Sequence, residues 1–369
     1  MLSLPLRSHY LIFHYTIQSL KKRCLRVLLL SACFYTGVSQ SAHSILPPPS
    51  SVQSIAFGSC LEGQKPLSIL RTITAAKPDL FVFAGDNVYA QSEADDPELK
   101  SLRLAYQELS EAAEFQALSK HIPIVATWDD HDFGLNDAGR DFQHRKASEQ
   151  LFENFWGVPD TDPSRARPGV YRALRIGQAP QAVQIILLDT RFFRTALKKP
   201  WIPVLSGRYV PSDDPSQSML GEAQWLWLQS VLKEPVDLRI LVSSVQVLAD
   251  GHQWESWRML PKERSKLLDL LAQTNGPTVI ISGDRHLAAF YQSKNPGRAD
   301  LWEITSSSLN LPLSEIASRI TPETGSFLEG EATYTANFGW IGIDWSERSL
   351  NLELRNPGNI KIDGVKIDF

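Results

Sequence analysis

Phe83-Ala84-Gly85-Asp86-Asn87-Val88-Tyr89 follows a largely apolar run, Asp79 to Phe83, that Pro78 introduces. A short apolar run between Pro and Gly reads as a buried strand. Gly85 lets the chain turn at the strand's end, which leaves Asp86 and Asn87 on the following loop. In open α/β sheets, ligands bind beyond the carboxyl ends of strands. An acid, an amide and a phenol within four residues there suit a metal and a polar substrate; a capping role for Asp86 at the strand–loop junction is the alternative. The same placement recurs along the chain. Ser54–Phe57 reads as a strand ending in Gly58-Ser59-Cys60, and Ile122–Thr127 as one running into Trp128-Asp129-Asp130-His131-Asp132. Ala182–Leu188 ends in Asp189-Thr190-Arg191, and Thr278–Ile281 in Ser282-Gly283-Asp284-Arg285-His286. Four acids, a His and Asn136 between Asp129 and Asp137 would repel one another unless cations or an Arg stand nearby; a solvated acidic loop is the alternative.

Between these strands, Pro66–Ala76, Pro97–Ser119, Phe142–Trp156, Gly221–Lys233 and Lys262–Gln273 read as helices. Val170–Ile176, Leu238–Val242 and Leu301–Thr305 are further strands, and Phe338–Trp345 with Ser349–Leu354 form a closing hairpin. Lys198–Ser218, rich in Pro and Ser, reads as a surface loop, and Trp254 and Trp257 as pocket rim or core. Strands that alternate with helices, then pair, predict a layered α/β domain. No repeat or change of composition divides residues 52–369, so a single domain is expected there.

The N-terminal region has a different character. Residues 1–44 hold five basic side chains (Arg7, Lys21, Lys22, Arg23, Arg26) and no acid, and Lys21–Arg26 leads into an apolar run, Val27–Val38, too short for a good membrane span. That layout predicts an export signal, cleaved near Ser41 or Ser44, and a periplasmic or secreted protein. Leu30-Ser31-Ala32-Cys33 also resembles a lipoprotein box, which would place a lipid anchor on Cys33. Residues 45–51, with Pro47-Pro48-Pro49, read as a stiff linker. The whole chain carries a net charge of −4; without residues 1–44 it has 32 basic and 41 acidic residues, or −9. An acidic exported domain is a poor fit for nucleic-acid binding, and a monomer is expected. Cys24 and Cys33 lie in the signal, so Cys60 is alone in the mature chain and has no disulfide partner within it. It is either a buried inert thiol or a metal-held thiolate.

Carboxylates suit calcium, magnesium, manganese or ferric iron, whereas imidazole and thiolate suit zinc and iron. The mixture predicts a centre of two or more metals, with Asp86 as the natural bridge between them. Two metals a few ångströms apart activate water for in-line displacement at phosphorus. His131 is the candidate proton donor to the leaving oxygen. Arg191 and Arg285 either neutralise charge on phosphate or serve as structural partners of the acids.

Gly85-Asp86-Asn87-Val88-Tyr89, Trp128-Asp129-Asp130-His131-Asp132 and Gly283-Asp284-Arg285-His286 resemble, in order, the signature blocks of the PhoD-like alkaline phosphatases of the calcineurin-like metallophosphoesterase superfamily. The match spans roughly residues 52–310. The resemblance implies a four-layer αββα sandwich and hydrolysis of phosphate mono- or diesters at alkaline pH. It also implies iron (Fe3+) with calcium (Ca2+), with Zn2+, Mn2+ or Mg2+ as alternatives. On that pattern Cys60 and Tyr89 bind ferric iron, Asp86 bridges to calcium, Asp284 is a further ligand, Asp130 and His286 touch the metals directly, and Asn136 is a calcium ligand. The sequence departs from the wider superfamily in three places. Its first strand ends in Gly58-Ser59-Cys60 rather than Asp-x-His, Asp130 replaces the Asn of Gly-Asn-His, and Gln246 stands near where a middle His is usual. A noncatalytic metal-dependent protein binding phosphate or an anionic polymer on the same scaffold is the competing expectation.

Overall fold

The structure, a computed structural model, describes residues 46–90, 96–202, 207–294 and 300–369. The expected export signal, with Cys33, lies outside the described residues; residues 46–51 carry neither helix nor strand.

The strands are β1 (Ser54–Gly58), β2 (Leu80–Ala84), β3 (Ile124–Thr127), β4 (Arg172–Ile176), β5 (Val183–Leu187), β6 (Leu238–Ser243), β7 (Thr278–Ser282), β8 (Ala288–Ser293), β9 (Leu301–Ser306), β10 (Leu328–Thr333), β11 (Phe338–Asp344), β12 (Ser349–Arg355) and β13 (Lys361–Asp368). They form two sheets, β13-β12-β11-β1-β2-β3 and β10-β8-β9-β7-β6-β5-β4. Within them β1, β2 and β3 run parallel, as do β5, β6, β7 and β9. Every residue of β2, β3, β5 and β6 is buried, and all but the first of β1 and β7. Strands covered on both faces read as near-continuous apolar runs, and these do, with Gln184 in β5 and Arg239 in β6 as buried polar exceptions.

Alternation along each strand divides its side chains between two cores. Ile55, Phe57, Val82 and Ala84 meet Ile185, Leu187, Val242 and Ile281 between the sheets. Ala56, Phe81, Phe83 and Ala126 face the other way, onto helices that include Ser68–Ala76, Lys100–Glu111, Ala113–His121 and Arg145–Phe155. On the far side Ile186, Leu188, Leu241 and Ile280 pack on helices Gly221–Val231 and Pro261–Ala272. The architecture is therefore helix–sheet–sheet–helix, the expected αββα sandwich.

Several elements differ from the sequence reading. The single helix expected over Pro97–Ser119 is two, broken at Ala112, whose backbone is extended (φ −67°, ψ 124°). Alanine is the best helix former, so propensity does not explain the break. The second helix turns onto Ser68–Ala76, where Arg71 pairs with Glu114 and Phe115 and Leu118 join the core around Ile73. Strands β8, β10 and β13 extend the two sheets beyond the expected set. β13 alternates Lys, Asp and apolar residues on a sheet edge, and such charge guards an edge against further pairing. Trp257 is fully buried and belongs to the core rather than a rim.

Candidate metal centre

The parallel strands of both sheets end on one side of the sandwich, and backbone contacts stitch those ends together. Ser59 N–H donates to Ser306 O (3.1 Å), Gly283 N–H to Ser244 O (3.0 Å) and Cys60 N–H to Gly85 O (3.3 Å). Two glycines permit this approach. A Cβ on Gly85, whose φ is +106°, would stand 2.7 Å from Asp129 Cβ and 2.9 Å from Ser244 Cβ. One on Gly283 would stand 2.5 Å from Ser59 Oγ and 3.0 Å from Ala84 O.

Asp86 stands at the meeting point. Its Oδ2 accepts a hydrogen bond from Tyr89 OH (2.9 Å) and lies 3.6 Å from Cys60 Sγ, while Oδ1 accepts from the His131 backbone N–H (3.3 Å). The Tyr89 ring lies 4.2 Å from that of His131 and 6.4 Å from that of His286, centroid to centroid. Cys60, Asp86, Asp284 and His286 all adopt left-handed backbone, with φ of 59°, 51°, 71° and 56°. For non-glycine residues this conformation costs about 1–2 kcal/mol each and is held only where surrounding structure over-determines it. Five other non-glycine residues among those described share it, including Asp137 beside Asp130, so it is the metal-type side chains of these four, rather than the strain alone, that single out this side of the fold.

The acidic block divides by role. Asp132 is structural: its carboxylate accepts from the backbone N–H of Asp86 (3.2 Å), Asn87 (3.3 Å) and Asp129 (2.6 Å), and from the Asn87 side chain. It therefore ties the loop after β2 to the loop after β3. Asp189 similarly accepts from Trp128 Nε1 (2.8 Å) and from the N–H groups of Arg191, Phe192 and Val170. Asp129 and Asp130 instead join the centre. Donor atoms of Asp86, Asp130 and His131 come within 4.8 Å of one another, as do those of Asp129, Asp130 and Asp284, and those of Asp130, Asp137 and Glu255.

Asn136 is exposed, whereas its neighbour Asp137 turns inward and donates its N–H to Asp130 Oδ2 (2.7 Å). Arg191 is 0 % exposed and lies between Asp129 Oδ1 (Nε, 2.6 Å) and Glu255 Oε2 (Nη1, 2.7 Å), with Asp130 4.0 Å away. Arg194 holds the other Glu255 oxygen at 2.7 Å. Arg285 pairs with Glu323 (3.2 Å). Asp129, Asp137 and Glu255 are the members of this cluster that sequence reasoning did not single out as ligands. Asp129 was visible only as one acid in a row of acids, and Glu255 is an isolated loop acid without a sequence signal.

The electrostatics call for added positive charge. Burial, then Asp130, Asp129, Asp132 and Asp284, push the Asp86 carboxyl well above the usual range. Burial and the same kind of neighbours do so for Asp284. Burial and then Asp86 raise Cys60 and Tyr89. Asp130 is the exception: burial opposes its charge, but Arg191, His131 and the Asp137 N–H hold it at about 2. Asp129 Oδ2 and His286 Nδ1 are buried without a hydrogen-bond partner, in an interior where such atoms are normally satisfied. Crowded carboxylates, unpartnered buried donor atoms and a thiol and phenol beside them fit a metal centre.

A pH prediction follows for the metal-free protein. Asp86, Asp132 and Asp284 have folded pKa values raised above 3.8, so the stability they contribute is complete below about that pH and lost as pH rises through the raised values. His286 runs the other way: its pKa falls from 6.5 to about 4, so its contribution is present above 6.5 and lost as pH falls toward 4. Buried His252, also lowered, has the same sign. Above about pH 6.5 the imidazoles drop out, so the raised carboxyls alone set the sign and the metal-free Tm is expected to fall as pH rises, while that of metal-loaded protein holds. Scanning fluorimetry of both forms tests this; a flat metal-free curve would mean that the carboxylates are already ionised and compensated.

A family model described as PhoD-like phosphatase matches residues 55–354, and the chain belongs to that family. It is thus a phosphoesterase whose substrates are phosphate esters. A solved structure of PhoD is similar at 17% identity with a TM-score of 0.63, over 88% of this chain and 70% of that one. A 5'-nucleotidase from Candida albicans is 14% identical with a TM-score of 0.37, over 80% of this chain and 48% of its own. No curated protein sequence matches the chain.

Proposed function

We propose that this chain is an exported, metal-dependent phosphoesterase hydrolysing phosphate mono- and diesters under alkaline conditions. One observation carries this reading: a buried Asp86 shared by Tyr89 OH and Cys60 Sγ on one oxygen and by the His131 loop on the other. That geometry suits a carboxylate shared between a phenolate–thiolate site, fitted to ferric iron, and an all-oxygen site, fitted to calcium. Cys60, Tyr89, Asp86 and His286 would hold the first cation, and Asp86, Asp129, Asp130 and Asp284 the second. Bound there, the cations supply charge to neutralise a phosphoryl group and to acidify a water molecule.

The chain's own residues do the rest. Asp132 and Asn87 fix the loops that carry Asp86 and Asp130. His131, partly exposed with its ring over Tyr89, donates a proton to the leaving oxygen. Arg191, sealed from solvent, bridges Asp129 and Glu255 and opposes the rise that burial imposes on both carboxyls, rather than meeting substrate. Among the described residues no helix is long and apolar enough to cross a membrane. The basic flank and short apolar run in residues 1–44 support export, and mass analysis of the mature N-terminus separates cleavage near Ser41 or Ser44 from a lipid on Cys33.

The test is hydrolysis of a chromogenic aryl phosphodiester and monoester by protein purified without chelator, with metals measured on the same sample. Iron near one per chain with calcium, and turnover lost on chelation and restored by both ions, are expected. Turnover that survives thorough chelation overturns the reading, and metal and phosphate binding without turnover replaces it with a binding protein.

A further inference from the structure

Behind Arg285 lies a buried polar chain that the proposed chemistry does not use. Arg285 sits in the turn between Asp284 and His286, two left-handed residues, and its N–H donates to Gly283 O at 2.9 Å. Its side chain is 7% exposed, and its charge reaches His286, whose pKa it helps to lower. One Nη donates to Glu323 Oε2 at 3.2 Å, the guanidinium lies 5.9 Å from the Trp254 ring centroid, and Nε is buried without a partner.

Glu323 is immobilised from every side. Its side chain is 0% exposed. Its Oε1 accepts from Tyr291 OH (2.9 Å), and its own N–H donates to Tyr334 OH (2.6 Å). Tyr291 OH in turn accepts from Gln246 Nε2 (2.7 Å), which also donates to Thr305 Oγ1 (3.0 Å), and Gln246 Oε1 meets His252 Nε2 at 2.8 Å. A fully buried carboxylate is costly unless it is paired and hydrogen-bonded. Here its charge is matched by one guanidinium, which stands in the same turn as two metal-type residues.

We infer that Glu323 is a positioning residue: through Arg285 it orients a guanidinium toward the phosphoryl oxygens of the substrate, and the chain Tyr291–Gln246–His252 fixes Glu323. The ligand class is a tetrahedral oxyanion, phosphate ester or orthophosphate, to which Arg offers a fixed fork of donors. The inference rests on the phosphoesterase reading for its substrate, but its test does not depend on turnover.

Orthophosphate binding to the metal-loaded full chain, measured by titration calorimetry, is the probe, with metal content and aryl phosphodiester kinetics on the same samples. Glu323→Gln and Arg285→Ala are each expected to weaken orthophosphate binding about tenfold and to raise KM more than they lower kcat. The double variant is expected to bind no more weakly than Arg285→Ala alone, because Glu323 acts through Arg285. Glu323→Asp, which keeps the charge, should recover part of the loss and serves if the Gln variant folds poorly. Additive losses, unchanged orthophosphate affinity in Glu323→Gln, or metal lost from that variant each overturn the inference. Turnover by wild type with unaltered affinity in the variant defeats only this inference. Affinity lost in the variant without any wild-type turnover defeats only the phosphoesterase reading.

Discussion

Asp86→Asn is expected to lower kcat/KM by about three orders of magnitude, release most of the bound metal, and yet raise the Tm of the metal-free protein. The first two effects come from replacing an anionic oxygen pair with a neutral amide at the point shared by Tyr89, Cys60 and the His131 loop. Loss of several kcal/mol of charge stabilisation in the transition state corresponds to about that factor. The third effect has the opposite sign. Without metal, burial and then Asp130, Asp129, Asp132 and Asp284 penalise the charged form of Asp86, and the amide, which cannot ionise, removes that penalty as pH rises. Metal analysis, steady-state kinetics and scanning fluorimetry with and without chelator read all three. At metal concentrations about a hundredfold above Kd, wild type gains about 2.7 kcal/mol on loading, and the variant is expected to lose most of that gain. Wild-type metal content together with wild-type turnover would end the metal-centre reading.

Arg191→Met is the second large effect, and it falls on stability. Arg191 is fully buried and bridges Asp129 and Glu255 at 2.6 Å and 2.7 Å. Removing one partner from a buried ion pair costs about 3–5 kcal/mol, because the other charge stays behind unpaired. At roughly 2 °C per kcal/mol for a long chain, Tm is expected to drop by about 6–10 °C. Arg191→Lys keeps the charge without the fork and should fall between. A direct phosphate contact, the other role the sequence allowed, predicts a raised KM at unchanged Tm, so calorimetry with kinetics decides between them.

The αββα layers were legible because β2, β3, β5 and β6 are buried on both faces and read as apolar runs, each closed by Gly or a polar residue. β13, half polar at a sheet edge, has no such signal. The break at Ala112 was illegible because the helix Ala113–His121 is placed by packing on Ser68–Ala76, and local propensity favours one continuous helix. Cys60, Asp86, Tyr89, Asp130, His131 and Asp284 were legible as a group because strand ends in parallel sheets share one side.

By itself, then, the sequence determined the layered α/β class, the family signature and the strand ends that carry the chemistry, because apolar period and turn residues act over a few neighbouring positions. Only the tertiary structure decided which acid does what. Asp129 turns to the centre and Asp132 to the backbone, Asp137 faces in where Asn136 faces out, and Glu255 and Glu323 arrive from distant loops to hold Arg191 and Arg285. Adjacent carboxylates are chemically identical until burial, backbone conformation and partners dozens of residues away assign each a different charge and direction.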